Sequence, residues 1–109
     1  MGRITAEEIL EHAPARLAIG QLCRLARHAY GGSINRWAAA LGVTRQSVLY
    51  YEGARMCPIH RVRERIARYG QGLVTMEQLD RAAYLFSCTY SKMRGRPRGL
   101  PPQPPQAVG

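Results

Sequence analysis

The chain has 109 residues, 46% of them hydrophobic, which suffices for one small domain with a modest core. Its 16 Lys and Arg residues outnumber its 7 Asp and Glu residues, and the formal net charge is +9. This charge favours a nucleic acid as partner; the alternatives are an anionic membrane, an acidic protein or a merely solubilising surface. No apolar stretch of about 18 residues occurs, so we expect no membrane partner.

Sites for metals, disulfides and catalysis are not predicted. The three cysteines, Cys23, Cys57 and Cys88, are odd in number and far apart, which matches neither a disulfide framework nor a CxxC metal site. We therefore expect reduced thiols in a cytoplasmic protein, with no metal and no cofactor. The histidines and carboxylates form no catalytic motif, and no Gly-rich phosphate loop or HExxH sequence occurs, so we expect no enzyme.

The first predicted helix is a short N-terminal extension over residues 5–13. Thr5 and Glu8 have the spacing of a capping box, with Ile4 and Ile9 at the positions of a hydrophobic staple. Pro14 interrupts this helix and suits the first turn of the next.

A second helix is predicted from about Ala15 to Tyr30, where two glycines end it. Its apolar residues recur at spacings of four, three and four, which predicts one buried stripe. The stripe consists of Ala18, Leu22, Leu25 and Ala29.

Two short helices joined by a tight turn follow. Ser33 caps a helix over residues 34–41, Gly42 ends it, and Thr44 caps a second helix over residues 45–52. The pair has the shape of a helix-turn-helix. Short capped helices also join ordinary bundles, so the shape alone leaves both interpretations open.

Spacing divides the second of these helices into two faces. Val48 and Tyr51 lie three residues apart and are expected, with Val43, to face the core. The outward residues are then Arg45, Gln46, Leu49 and Tyr50, with Ser47 at the edge. In a DNA-binding helix-turn-helix this helix enters the major groove, where Arg pairs with guanine and Gln with adenine.

A basic helix is predicted from Pro58 to Gly70. Its apolar stripe is Ile59, Val62, Ile66 and Tyr69. Three arginines, Arg61, Arg65 and Arg68, share another face. They are either phosphate contacts or a solvated surface.

The last predicted helix spans residues 75–93 and begins with a capping box formed by Thr75 and Gln78. Its apolar residues have heptad-like spacing. We expect a homodimer through this helix, because one short helix contacts too few bases. Alternatively the stripe packs on its own subunit. The proposed interface residues are Leu79, Ala83, Phe86 and Tyr90.

Residues 33–54, SINRWAAALGVTRQSVLYYEGA, resemble the helix-turn-helix of lambda-repressor-like phage regulators. The matching positions are Ala38, Gly42, Val43, Thr44, Gln46 and Val48. The continuation PIHRVRERIARYGQG and then LVTMEQL is similar to Cro-type and YdaS-type small regulators. The sequence VLYYE also resembles MerR-type regulators, but residues 53–57 leave no room for their wing.

The resemblance, which covers residues 22–79, implies DNA contacts for particular residues. Base contacts would come from Arg45, Gln46, Ser47 and Tyr50. Phosphate contacts would come from Ser33, Asn35 and Arg36. Apart from the resemblance, Thr44 and Arg61 are also candidates for phosphate contact.

Residues 94–109 are rich in Pro, Gly and Gln and are expected to form a flexible tail. The segment KMRGRPRG resembles an AT-hook, a short motif that inserts in the minor groove. Nonspecific phosphate binding or no role are the alternatives. The tail residues concerned are Arg94, Gly95, Arg96, Pro97 and Arg98.

Taken together, the patterns predict an all-α bundle of about five or six helices over residues 1–93. The expected function is sequence-specific binding of double-stranded operator DNA, as a dimeric repressor of phage, prophage or mobile-element operons. Such a protein would be cytoplasmic and associated with the nucleoid. The alternatives are a protein-binding module, such as a counter-defence inhibitor or an antitoxin, and an RNA-binding protein.

Overall fold

Six helices make up the part of the chain that the computed structural model describes, which is the backbone of residues 4–94 and the side chains of residues 4–88. This part contains no strand, so the predicted all-α fold is confirmed. None of its helices has the combination of length and apolarity that crossing a membrane requires. The helices are α1 (Ala6–His12), α2 (Ala18–Tyr30), α3 (Ile34–Leu41), α4 (Arg45–Glu52), α5 (His60–Tyr69) and α6 (Met76–Arg94).

Both predicted capping boxes are present. The Glu8 amide donates to Thr5 Oγ1 at 3.2 Å, and the Thr5 amide donates to Glu8 Oε1 at 2.9 Å. At the start of α6 the Gln78 amide donates to Thr75 Oγ1 at 3.1 Å, and the Thr75 amide donates to Gln78 Oε1 at 2.9 Å. Gln78 Nε2 also donates to Glu7 Oε2 at 2.9 Å, so the cap of α6 is tied to α1.

Helix α2 lies at the centre of the bundle and contacts the other five helices. It begins at Ala18 rather than about Ala15, because Pro14 opens a separate turn in which its carbonyl accepts from the Leu17 amide at 2.8 Å. Leu25 and Ala29, predicted in its buried stripe, are only half-buried. A helix with partners on several sides buries neighbouring rows of side chains, not one stripe. The fully buried residues are Ala18, Ile19, Gly20, Leu22, Cys23 and Ala26.

Helix α6 packs against α1, α2 and α5. Leu79 is 0% exposed and Phe86 is 7% exposed, and Ala83 is also buried. The assignment of these residues to a dimer interface is therefore corrected: they belong to the core of the subunit and have little surface left for a second copy. The side chain of Tyr90, the fourth residue of that assignment, lies outside the described residues.

The C-terminal ends of α2 and α5 meet the middle of α3 in an aromatic cluster. The ring of Tyr30 lies 5.1 Å from that of Trp37 and 6.1 Å from that of Tyr69, measured between centroids. Helix α5 begins at His60, later than predicted, and Ile59 is its exposed N-cap residue and not part of the buried stripe. Pro58 is buried just before it.

Candidate nucleic-acid interface

Helices α3 and α4 each begin with a side-chain cap. Ser33 Oγ accepts from the Arg36 amide at 3.2 Å at the start of α3, and Thr44 Oγ1 accepts from the Ser47 amide at 3.0 Å at the start of α4. Gly42 ends α3 in the left-handed conformation, with φ 73° and ψ 31°. The predicted caps and helix bounds are confirmed, and residues 42–44 join the two short helices as predicted.

Helix α4 has one buried face and one exposed face. Val48 and Tyr51 are buried, the latter 6% exposed, whereas Tyr50 is 37% exposed. Val43, also predicted to face the core, is half-buried and packs against it. Of the described helices α4 contacts only α2 and α3, which leaves the rest of its circumference to solvent. The prediction that the two adjacent tyrosines face opposite ways is confirmed.

The exposed face of α4 presents polar and apolar groups side by side. Arg45, Gln46, Leu49 and Tyr50 are exposed, and Ser47 is half-buried. Thr44 and Ser47 are linked by a hydrogen bond between their hydroxyl oxygens at 3.0 Å. The predicted base-contacting residues therefore lie on one helix, and the hydrogen-bonding groups of Arg45 and Gln46 are exposed in its first turn.

Arg55 joins this surface although the sequence analysis did not select it. The Arg55 amide donates to the Tyr50 carbonyl at 2.9 Å, which folds the chain back over the end of α4. The Arg55 guanidinium carbon then lies 5.6 Å from the centroid of the Tyr50 ring, a cation–π arrangement. The turn depends on Ala54, which has the positive φ of 56°. Sequence alone does not indicate a positive φ at an alanine, so the contact between Arg55 and Tyr50 was not predicted.

The predicted phosphate-contacting residues of α3 and of the turn are exposed. They are Ser33, Asn35, Arg36 and Thr44. Arg61, the fifth of the set, lies elsewhere, on α5.

On α5, Arg61 is exposed and lines a cleft of about 320 Å³ together with Glu64, Arg65 and Arg68. Arg65 Nη1 donates to the carbonyl of Leu41, the last residue of α3, at 2.8 Å. This bond holds α5 against the turn that precedes α4. The three arginines therefore line a cleft on α5, which Arg65 attaches to the end of α3.

A buried ion pair fixes the other end of α4. Arg27 of α2 donates from Nε to Glu52 Oε2 at 2.6 Å and from Nη2 to Glu52 Oε1 at 3.0 Å. Arg27 also donates to the carbonyl of Gly32. Arg24 Nε lies 3.7 Å from Glu52 Oε1, a looser ion pair. The last residue of α4 is thereby attached to the central helix.

Gly20 allows α2 and α4 to approach each other closely at the same place. A Cβ atom added to Gly20 would lie 2.6 Å from the carbonyl oxygen of Glu52 and 2.9 Å from that of Tyr51. Those oxygens are backbone atoms and do not move aside easily. A glycine inside a predicted helix was the available signal for this contact.

The thiols lie in different environments. Burial raises the pKa of the Cys23 thiol, with Glu52 adding to the effect, and burial also raises the pKa of Cys57 although Arg63 opposes it. Burial raises the pKa of the Tyr51 hydroxyl. Within the described residues, no group of three or more His, Cys, Asp or Glu side chains is arranged to hold a metal ion.

The tail residues proposed for the minor groove, Gly95, Arg96, Pro97 and Arg98, lie outside the described residues, as does the side chain of Arg94. Comparisons with protein-family models, with curated proteins and with solved structures gave no match.

Proposed function

We propose that this chain binds double-stranded DNA sequence-specifically and regulates transcription, with α4 in the major groove. The observation that carries the proposal is the exposed first turn of α4, where Arg45 and Gln46 lie together on a helix with a free outer face. Arg donates two hydrogen bonds to guanine, and Gln both donates to and accepts from adenine. Tyr50, braced by Arg55, is placed one turn later to contact a thymine methyl or a sugar.

Rigidity of α4 supports this role. Its inner face is held by Val48 and Tyr51 in the core, and its last residue is held by the Arg27–Glu52 ion pair. A side chain discriminates between bases only if its helix holds it in place, since small displacements cost the hydrogen bonds their geometry. The buried ion pair is thus a reason for the fixed direction of α4.

Charge supports the same role. The formal net charge of +9 attracts a polyanion, and exposed arginines flank the helix-turn-helix at Arg36, Arg55 and Arg61. In the proposed complex these residues bind phosphates and fix the register, while Arg45, Gln46 and Tyr50 select the sequence. As a cytoplasmic, nucleoid-associated repressor, a homodimer would occupy two half-sites and block polymerase.

The test begins with selection of duplexes from a random library by the wild-type protein. Binding to the selected duplex and to a scrambled duplex is then measured by gel shift at physiological salt. For Arg45→Ala/Gln46→Ala we expect the preference for the selected duplex to fall roughly tenfold to a hundredfold, because one or two base contacts are lost.

The control is Arg81→Ala, which removes the same charge from an exposed position of α6, a helix without contact to α3 or α4. This variant should keep the wild-type preference. If selection enriches no sequence, specific DNA binding is wrong. If the double substitution keeps the full preference, α4 is not the recognition helix.

A further inference from the structure

A cleft of about 450 Å³ runs along the outer face of α2, between α1 and the end of α4. Its volume lies in the range typical of clefts for small molecules. One side is apolar: Ile4 and Ile9 come from the segment around α1, Leu17 is the N-cap residue of α2, and Leu25 lies within α2. Ile4 is 62% exposed, so a large apolar side chain at the mouth of the cleft has little protein covering it.

The polar lining includes one guanidinium, that of Arg24. Gln21, Arg24 and His28 follow one another along α2 at helical spacing, and Glu52 lies at the inner end. The Glu52 carboxylate is already paired with Arg27 through two hydrogen bonds. Arg24, whose side chain is 58% exposed, therefore adds a positive charge that Glu52 does not fully balance.

Arg24 has unused donors. Within the part of the chain described, its one polar contact is the ion pair with Glu52 at 3.7 Å, which is longer than a hydrogen bond. The side chains of Gln21 and His28 likewise have no hydrogen bond there. A planar guanidinium with free N–H groups beside an apolar wall is suited to a carboxylate that carries an apolar body.

We propose that this cleft binds a small amphipathic carboxylate, with its carboxylate on Arg24 and its apolar body between Ile4, Leu17 and Leu25. Arg24 then bridges two carboxylates, that of the ligand and that of Glu52. The site is separate from the exposed face of α4. The inference does not depend on DNA binding, since every contact that it uses lies among α1, α2 and the last residue of α4.

The probe for the test is octanoate, compared by isothermal titration calorimetry with octan-1-ol and octylammonium, which have the same chain and a different head group. We expect wild-type protein to bind octanoate about tenfold more tightly than octan-1-ol, the difference expected from one charge-assisted interaction. Octylammonium should bind least. Binding of octylammonium as tight as that of octanoate, or no octanoate binding up to its solubility limit, overturns the proposal.

Two variants locate the site. Arg24→Gln should weaken octanoate about tenfold and leave octan-1-ol unchanged, whereas the exposed-charge control Arg81→Gln should leave both unchanged. Gln21→Trp fills the cleft from an exposed position and should abolish binding of both probes. Thermal unfolding verifies that each variant is folded. An unchanged octanoate affinity in either Arg24→Gln or Gln21→Trp shows that octanoate binds elsewhere and overturns the proposal.

Discussion

At the scale of single residues, Glu52 connects the fold to the candidate interface. Its side chain is 6% exposed and that of Arg27 is 12% exposed, so the pair is largely removed from water. A buried charge without a partner is costly, because desolvation is no longer offset by attraction and hydrogen bonds. Loss of either partner is therefore expected to do more harm than loss of an exposed ion pair.

We expect Arg27→Met and Glu52→Gln each to lower the free energy of unfolding by about 2–4 kcal/mol, measured by urea denaturation. Each leaves one charge of the pair buried, and Arg27→Met also removes the bond to Gly32. The double variant should cost less than the sum of the two, with a coupling of at least about 1 kcal/mol.

Arg24→Ala is the matched control for this double-mutant cycle. The exposed Arg24 approaches the same carboxylate, with its Nε 3.7 Å from Glu52 Oε1. Its cost should stay below about 1 kcal/mol, as for other exposed ion pairs. Additive single costs in the cycle would contradict the assignment of Arg27 and Glu52 as one interacting unit.

At the scale of helices, the apolar stripe of α6 did not by itself identify the surface that covers it. A stripe predicts that one face is buried, but it does not say whether the covering surface belongs to the same chain or to a second copy. Here α1, α2 and α5 cover it. The opposite face of α6 is different, since Tyr84 is 68% exposed.

Leu79→Ala is expected to lower the free energy of unfolding by about 2–5 kcal/mol, because it leaves a cavity in the core of the subunit. Tyr84→Ala, on the exposed face of the same helix, should leave the unfolding midpoint within error of wild type. Urea denaturation and light scattering are measured on both. Unchanged stability with a reduced mass for Leu79→Ala would restore this residue to a dimer interface.

The helices whose ends are marked by capping residues or a terminating glycine were predictable from sequence. Ser33, Gly42 and Thr44 set the bounds of α3 and α4, because caps and a left-handed glycine act within a few residues. The wider buried face of α2 and the Arg27–Glu52 pair were not predictable, since both depend on which helices surround α2. The contact of Arg55 with Tyr50 depends in turn on the backbone of a single residue, Ala54.

At the scale of the whole molecule, phosphate binding and sequence selection are proposed for different helices. The exposed turn of α4 is proposed to select the sequence, and the cleft of Arg61, Arg65 and Arg68 on α5 is proposed to bind phosphates. Arg65 already donates a hydrogen bond to the carbonyl of Leu41. Arg61 and Arg68 are therefore the better candidates for binding a phosphate.

These two roles have different signatures in salt. Each phosphate that an arginine neutralises releases condensed counterions, so the slope of log affinity against log salt concentration changes by about 1 per contact. We expect Arg61→Gln/Arg68→Gln to reduce the slope by roughly 1–2. It should weaken the selected and the scrambled duplex equally, since phosphates are the same in both. Arg45→Ala/Gln46→Ala should instead act mainly on the selected duplex.

Arg81→Gln, which removes a charge from the exposed surface of α6, should leave the slope at its wild-type value. Equal slopes for wild type and Arg61→Gln/Arg68→Gln would mean that this cleft is a solvated face and that the phosphate contacts lie on α3, in the turn or in the tail.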